Sequence, residues 1–219
     1  MIFSNQQGIL KAPEPVIIKE KEMSVQPKFI WVLDPGHGKR TRGKRSPKFE
    51  DGTQMFEYEF NRAVNALLMD KLDVGGLKYY NLIPTDDDKT LKTRVEEANN
   101  LQSDLPKRYL SIHSNGAGDG KEWHSAHGLE TFRYRASQTG LELAEIFQKH
   151  LVNELEWRDR GVKEAGYYVI RHTKFPAILT ETGFYTNKDE CVKLMSPEYR
   201  EKIAEAHFLA MKEYEETYG

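Results

Sequence analysis

Phe29-Ile30-Trp31-Val32-Leu33-Asp34-Pro35-Gly36-His37-Gly38 decides the fold: an apolar run of strand length stops at an acid, then breaks on proline and two glycines around a histidine. The same ending recurs twice. Tyr109-Leu110-Ser111-Ile112 runs into His113-Ser114-Asn115-Gly116, and Ala177-Ile178-Leu179-Thr180 runs into Glu181-Thr182-Gly183. Short apolar runs bounded by turn residues are the pattern of strands buried on both faces. In an open α/β sheet, ligands bind in the crevice beyond the carboxyl ends of the strands. Three such ends predict one crevice shared by His37, His113 and Glu181, which lie far apart in the chain. The adjoining glycines suit sharp turns and close backbone approach.

Outward from these runs, residues 79–83, 129–132 and 167–170 read as three further strands, making six with 29–33, 109–112 and 177–180. Between them apolar residues recur at helical spacing: Phe60, Val64, Leu67 and Leu68; Leu91, Val95 and Ala98; Leu141, Ala144, Phe147, Leu151 and Leu155. A last helix opens at Ser196-Pro197, a capping residue followed by proline at the first helical position, and runs through Tyr199, Ile203, Ala206 and Ala210. Strands interleaved with helices predict an α/β fold: a single domain with a mostly parallel or mixed six-stranded sheet and helices on both faces. Residues 1–27 read as an N-terminal tail or edge extension, with an edge strand near Val16, and 28–219 as the catalytic domain.

Composition narrows the function classes. A formal net charge of -2 across 219 residues argues against a nucleic-acid binder, which needs a basic excess on one face. The dense basic run Lys39, Arg40, Arg42, Lys44, Arg45 and Lys48 reads as a solvated loop in preference to a substrate-facing patch. Cys191 stands alone, so no intrachain disulfide forms. No window has the apolar length of a membrane span, and the N-terminus lacks the apolar stretch of a signal peptide. The expectation is a chain made in the cytoplasm, without membrane insertion.

Two imidazoles and one carboxylate suit a catalytic zinc site, with the fourth position left open. The carboxylate ligand and the catalytic base must be different residues. Glu57 opens the helix after the basic loop and lies one turn before Asn61, on the same face; Glu59 points elsewhere and reads as solvated. Each residue alone has a plainer reading: His37 or His113 as a satisfied strand-end histidine, Glu57 as an acid favoured at a helix N-terminus. Glu181 resists one, because a charge directly after an apolar core strand is costly if buried unpaired. His124 and His127 read as surface residues of a polar loop. His150 and His207 fall in helical patterns, and His172 in a loop. Glu130 reads either as a support for the site or as the solvent face of an edge strand.

At these residues the chain resembles the zinc-dependent N-acetylmuramoyl-L-alanine amidases of the amidase-3 type. The likeness covers almost everything after Lys28: Val32-Leu33-Asp34-Pro35-Gly36-His37-Gly38, Glu57-Tyr58-Glu59-Phe60-Asn61, the helix with Leu91, Arg94, Ala98 and Asn99, Ser111-Ile112-His113-Ser114-Asn115, Arg160-Gly161-Val162-Lys163, and Leu179-Thr180-Glu181-Thr182-Gly183-Phe184 with Asn187. The resemblance implies one zinc ion held by His37, Glu57 and His113, with Glu181 as the catalytic acid–base and Asn115 and Arg94 as substrate-binding residues. It implies a peptidoglycan hydrolase that cuts the amide between N-acetylmuramic acid and L-alanine of the stem peptide with zinc-activated water. The alternatives are another zinc peptidase of the cell wall or a non-catalytic wall-binding module. A phage endolysin is the expected setting, monomeric and reaching the wall after holin-type release.

Two departures stand out: Lys39 where a second glycine is common, and Gly116 where alanine is more usual. Some relatives carry an inserted helix that occludes the zinc. The stretch between His113 and Glu181 is mostly claimed by two strands and one long helix, with room only for a short flap at 119–127.

Overall fold

The computed structural model describes residues 26–219; the expectations for residues 1–25, including the strand near Val16, lie outside them. The chain runs β1 (Ile30–Pro35), α1 (Glu57–Gly75), β2 (Lys78–Asn81), α2 (Leu91–Asn100), β3 (Lys107–Asn115), β4 (Leu129–Arg133), α3 (Gln138–Leu155), β5 (Asp159–Glu164), α4 (Tyr168–His172), β6 (Ala177–Phe184), α5 (Lys188–Met195) and α6 (Pro197–Tyr218). Its six strands form one sheet in the order β2-β1-β3-β6-β4-β5. The pairs β1–β2, β1–β3 and β3–β6 are parallel, β4 is antiparallel to β6, and β5 is parallel to β4. The sheet is therefore mixed. The three strands that end in chemistry are adjacent and parallel, so their carboxyl ends meet at one edge.

Alternation along the strands sorts the core. Trp31, Leu33, Leu110, Ile112 and Ile178 face Phe60, Val64, Leu68 and Leu72 of α1, Phe147 and Leu151 of α3, and Ile203 and Ala210 of α6. Val32, Tyr109, Phe132 and Leu179 face the other way, against Val95 and Ala98 of α2 and Val169 and Ile170 of α4. Each fully buried Leu or Phe contributes about 1.5–3 kcal/mol, so the long-helix face carries most of the stability. The second face has only two short helices. It carries Asp34, His113 and Glu181 at its carboxyl edge, where a cleft remains open.

Several assignments differ from the expectation. Residues 167–170 enter helix α4, where adjacent Val169 and Ile170 both bury against the sheet; an apolar run this short fits either structure, and tertiary packing decides. The sixth strand is β5, Asp-Arg-Gly-Val-Lys-Glu, a half-exposed edge strand with no apolar run to reveal it. His172 accordingly closes α4. A short helix, α5, also precedes α6, and Ser196 stands at the start of α6 without capping it through its side chain. No helix among the described residues is long and apolar enough to cross a membrane.

His207 of α6 sits in this core. Its Nδ1 faces the Ile203 carbonyl at 2.7 Å and its Nε2 the Thr180 hydroxyl at 3.0 Å. Burial lowers its pKa from 6.5 to about 4. The unfolded chain thus takes up a proton near 6.5 that the folded chain refuses until about 4. Stability is lost as pH falls through that window, by about 3 kcal/mol in full. Urea midpoints between pH 7 and pH 4 check this: His207→Gln is expected to flatten the acid limb.

Candidate metal centre and cleft

The β1 end is built around a buried acid. Asp34, 1% exposed, accepts hydrogen bonds from the Tyr109 hydroxyl at 2.7 Å and the Ser111 hydroxyl at 3.0 Å, and pairs with the Arg94 guanidinium. The next three carbonyls are all held by side-chain donors. Arg62 donates to Pro35 O and His37 O, each at 2.6 Å; Asn61 Nδ2 donates to Gly36 O at 3.1 Å; Arg94 donates to His37 O at 3.2 Å. This clamp fixes His37 in the left-handed region, at φ 59°, a conformation that costs a non-glycine residue about 1–3 kcal/mol.

Glu57 enters from the first turn of α1, and its backbone N–H donates to Lys44 O at 3.0 Å. His37 Nε2 lies 3.2 Å from Glu57 Oε2, His113 Nδ1 lies 2.9 Å from Glu57 Oε1, and the two rings meet edge-on at 4.8 Å. Among the described residues these three are the one group of potential ligands that converges, with donor atoms all within 4.8 Å of one another. Burial pushes the Glu57 carboxyl up, but the two imidazoles outweigh it and leave the pKa far below the usual range. Burial holds His37 below its ordinary value, which favours the neutral ring.

The donors suit a cation. His37 Nε2 and Glu57 Oε2 are buried without a hydrogen-bond partner. The Ser111 hydroxyl spends its one proton on Asp34 and so accepts from His113 Nε2 at 3.1 Å, which turns the lone pair of Nδ1 toward Glu57. Ring nitrogens and a carboxylate at these distances share a positive charge, a proton on an imidazole in the metal-free protein or a cation in its place. Two nitrogens and one carboxylate oxygen are a donor set suited to zinc.

Glu181 lies beside this group. It pairs in register with His113 on β3 and with Glu130 on β4, so all three project from the same sheet face. Its Oε2 is buried with no partner, and burial, reinforced by the charge of Glu57, raises its pKa well above the usual carboxyl value; Lys44 opposes the shift. Glu130 is a support: β4 is an interior strand, and the carboxylate, 4% exposed, binds Arg160 at 2.9 Å, Lys163 and the Asn115 amide. A cleft of about 590 Å³ collects His37, His113, Asn115 and Glu181, with Lys44 beside them and Leu91, Tyr167 and Tyr168 forming an apolar wall.

Comparison with known proteins follows this geometry. Residues 32–213 match the amidase-3 family, described as N-acetylmuramoyl-L-alanine amidase. The chain belongs to that family. It is 36% identical over 177 residues to the N-acetylmuramoyl-L-alanine amidase LytC of Bacillus subtilis, covering 80% of this chain and 33% of LytC. It is 30% identical over 193 residues to the endolysin of Bacillus phage SPP1, covering 82% of this chain and 63% of the endolysin. A crystal structure of an N-acetylmuramoyl-L-alanine amidase from Clostridium difficile 630 superposes with a TM-score of 0.77 at 28% identity, covering 87% of this chain and 98% of that one. The chain thus spans about a third of LytC's length and almost the whole of the solved amidase.

In this amidase-family chain His37, Glu57, His113 and Glu181 come together, and Asn115 and Arg94 both line the same cleft; Arg94 is 2% exposed, with its donors on Asp34, Asp88 and backbone carbonyls. His124 and His127 are exposed in the 119–127 loop, His150 pairs with Glu213, and Glu59 is exposed. The stretch between His113 and Glu181 holds β4, α3, β5 and α4.

Three contributors went unassigned in the sequence: Asp34, Arg62 and Lys44. Asp34 was within reach, since the cost of a charge directly after an apolar strand applies to it as to Glu181. Arg62 has no sequence signal. Lys44 corrects the reading of the basic run, in which Lys39, Arg40, Arg42, Arg45 and Lys48 are exposed as expected. An Arg45–Phe56 bridge, and a Ser46 N–H bond to Met55 O at 2.9 Å, close the loop into a hairpin that pins Lys44 next to Glu57.

Two glycines are fixed by contact. A Cβ at Gly116 would lie 2.3 Å from the Tyr185 hydroxyl oxygen, so an alanine there would require the Tyr185 side chain to shift. A Cβ at Gly36 would lie 2.0 Å from His113 Cε1 and 2.5 Å from His113 Nδ1. Gly36→Ala is therefore expected to displace the His113 ring and weaken metal binding by the His37, Glu57 and His113 group at least 10-fold, the scale of losses when a ligand's support is disturbed. Calorimetric titration of metal-free protein checks it.

Proposed function

We propose that this chain is a zinc-dependent N-acetylmuramoyl-L-alanine amidase that hydrolyses the amide joining the lactyl group of muramic acid to L-alanine. The observation that carries the reading is the group His37, Glu57 and His113, two of whose donor atoms are buried without partners, beside an unpaired Glu181 in one cleft. His37 Nε2, a Glu57 oxygen and His113 Nδ1 would hold the ion. When bound it supplies Lewis acidity, polarising the scissile carbonyl and acidifying water. Glu181 takes the water's proton and delivers it to the leaving alanine nitrogen. Its burial suits the task, because a raised pKa strengthens the carboxyl's hold on the proton between its uptake from water and its delivery to nitrogen. Asp34 and Ser111 fix the His113 ring, and Arg62, Arg94 and Asn61 fix the turn that carries His37. Arg94 acts on this reading by holding the loop, and Asn115 lies where substrate enters.

The same reading takes peptidoglycan as the partner, one zinc per chain, a monomer, and a lytic role reached by holin-type release; likeness to a phage endolysin supports that last step. Metal analysis of protein purified without chelator should give one zinc per chain, lost in His113→Ala and Glu57→Ala. Cells producing the chain internally should lyse once the membrane is permeabilised and not before. Protein without zinc would sink the metal reading, and lysis of intact cells would sink the release route.

A further inference from the structure

Lys44 is the one cation that reaches the metal-ligand group from the basic hairpin. Its Nζ stands 4.0 Å from Glu57 Oε2, and among the described residues it forms no other ion pair. Its side chain is 43% exposed, and Lys44 lines the open cleft. The backbone leaves it little choice of place. Lys44 O accepts the Glu57 N–H at 3.0 Å, and the neighbouring Arg45–Phe56 bridge closes the hairpin. Five other cations of the run point to solvent.

A divalent cation on Glu57 changes the balance of charge. Glu57 would then attract a second cation less strongly, and the ammonium, on a flexible four-carbon stem, would be free to turn toward the cleft. On the amidase reading, the group it would meet there is the scissile carbonyl oxygen. From a position beside the Glu57 oxygen, the ammonium reaches the same region from the side of the hairpin.

We propose that Lys44 is a catalytic residue that donates a hydrogen bond to the scissile carbonyl oxygen as it gains negative charge. The proposal rests on the amidase reading above. The water oxygen bonds to the carbonyl carbon while its proton passes to Glu181, and the carbonyl π pair moves onto oxygen, facing the Lys44 ammonium. That pair then returns, the C–N bond breaks with its electrons on nitrogen, and Glu181 gives up the proton to the amine. Lys44 stays protonated throughout.

The test compares zinc-loaded full-length chain with Lys44→Gln and Lys44→Arg, using a soluble muramoyl-peptide. Losing one such donor typically costs about 10²–10³ in turnover. Lys44→Gln is expected to lower kcat about 100-fold with KM within about twofold, and Lys44→Arg to recover at least a tenth of the loss. Zinc affinity of the metal-free variant, by calorimetry, is expected to be unchanged or tighter, since a repelling cation is gone. A raised KM with intact kcat would overturn the proposal, because Lys44 would then bind a carboxylate elsewhere on the peptide. Looser zinc binding would overturn it too, by making Lys44 part of the metal site's scaffold. Acetate binding to the zinc-loaded chain supplies a reading without turnover: Lys44→Gln should weaken it about tenfold, and equal binding would overturn the proposal. If the unaltered chain releases no L-alanine amine, the amidase reading fails separately, and the acetate comparison still decides the role of Lys44.

Discussion

Glu181→Gln should abolish nearly all turnover while leaving the protein folded, zinc-loaded and, without metal, more stable than its parent. Removing a positioned acid–base group typically costs about 10²–10⁴ in rate, and here the same carboxyl is asked to serve two proton transfers. The stability gain has a definite sign. The Glu181 pKa lies well above the usual 4.5, through burial first and the charge of Glu57 second. Above 4.5 the folded chain therefore binds a proton that the unfolded chain has released, so stability falls as pH rises through that window. The amide of glutamine does not titrate and escapes the loss. Melting scans of metal-free protein should show the variant above the parent at pH 7, with the gap closing near pH 4. A variant that melts lower at pH 7 would mean that Glu181 has a partner and is a structural acid. The trade of stability for a strained, functional group is common at active sites.

The second large effect falls on Arg94. Arg94→Met leaves Asp34 buried without its cation and removes donors from the Pro35 and His37 carbonyls. Breaking a buried pair by deleting one partner costs about 3–5 kcal/mol. For a domain of this size that lowers Tm by roughly 10 °C, at about 2–4 °C per kcal/mol. Because Asp34 also holds Ser111, which holds His113, zinc affinity should fall together with stability. The double variant Asp34→Asn with Arg94→Met should lose much less than the sum of the single losses, since the orphaned charge is gone. A loss under about 1 kcal/mol with a raised KM would instead support the substrate-binding role that the family resemblance implies for Arg94.

These two residues mark how much was legible in the chain. The crevice was readable because three apolar runs each ended on a charged or metal-ligating residue, and parallel pairing of β1, β3 and β6 brings those ends together. Glu57 was readable from its place at a helix start. What escaped was whatever depends on packing and not on pattern. β5 is polar because it lies at the sheet edge, and α4 carries a strand-like run because it caps the sheet with two adjacent apolar residues. Arg62 and Arg94 look like ordinary helix cations until the folded chain brings the Pro35–His37 carbonyls to them. Lys44 is indistinguishable from its neighbours in a basic run until the hairpin closes. The backbone of the fold is written in periodicity, whereas the groups that hold the catalytic loop are written in contacts across many residues.

The central claim is the bond that is cut, and end-group analysis of digested peptidoglycan tests it most directly. The zinc-loaded chain is expected to release stem peptides whose new amino terminus is L-alanine and glycans ending in a free lactyl carboxylate. Chelation should stop the release, and one equivalent of zinc should restore it. A different new amino terminus, or undiminished release after chelation, would contradict the account.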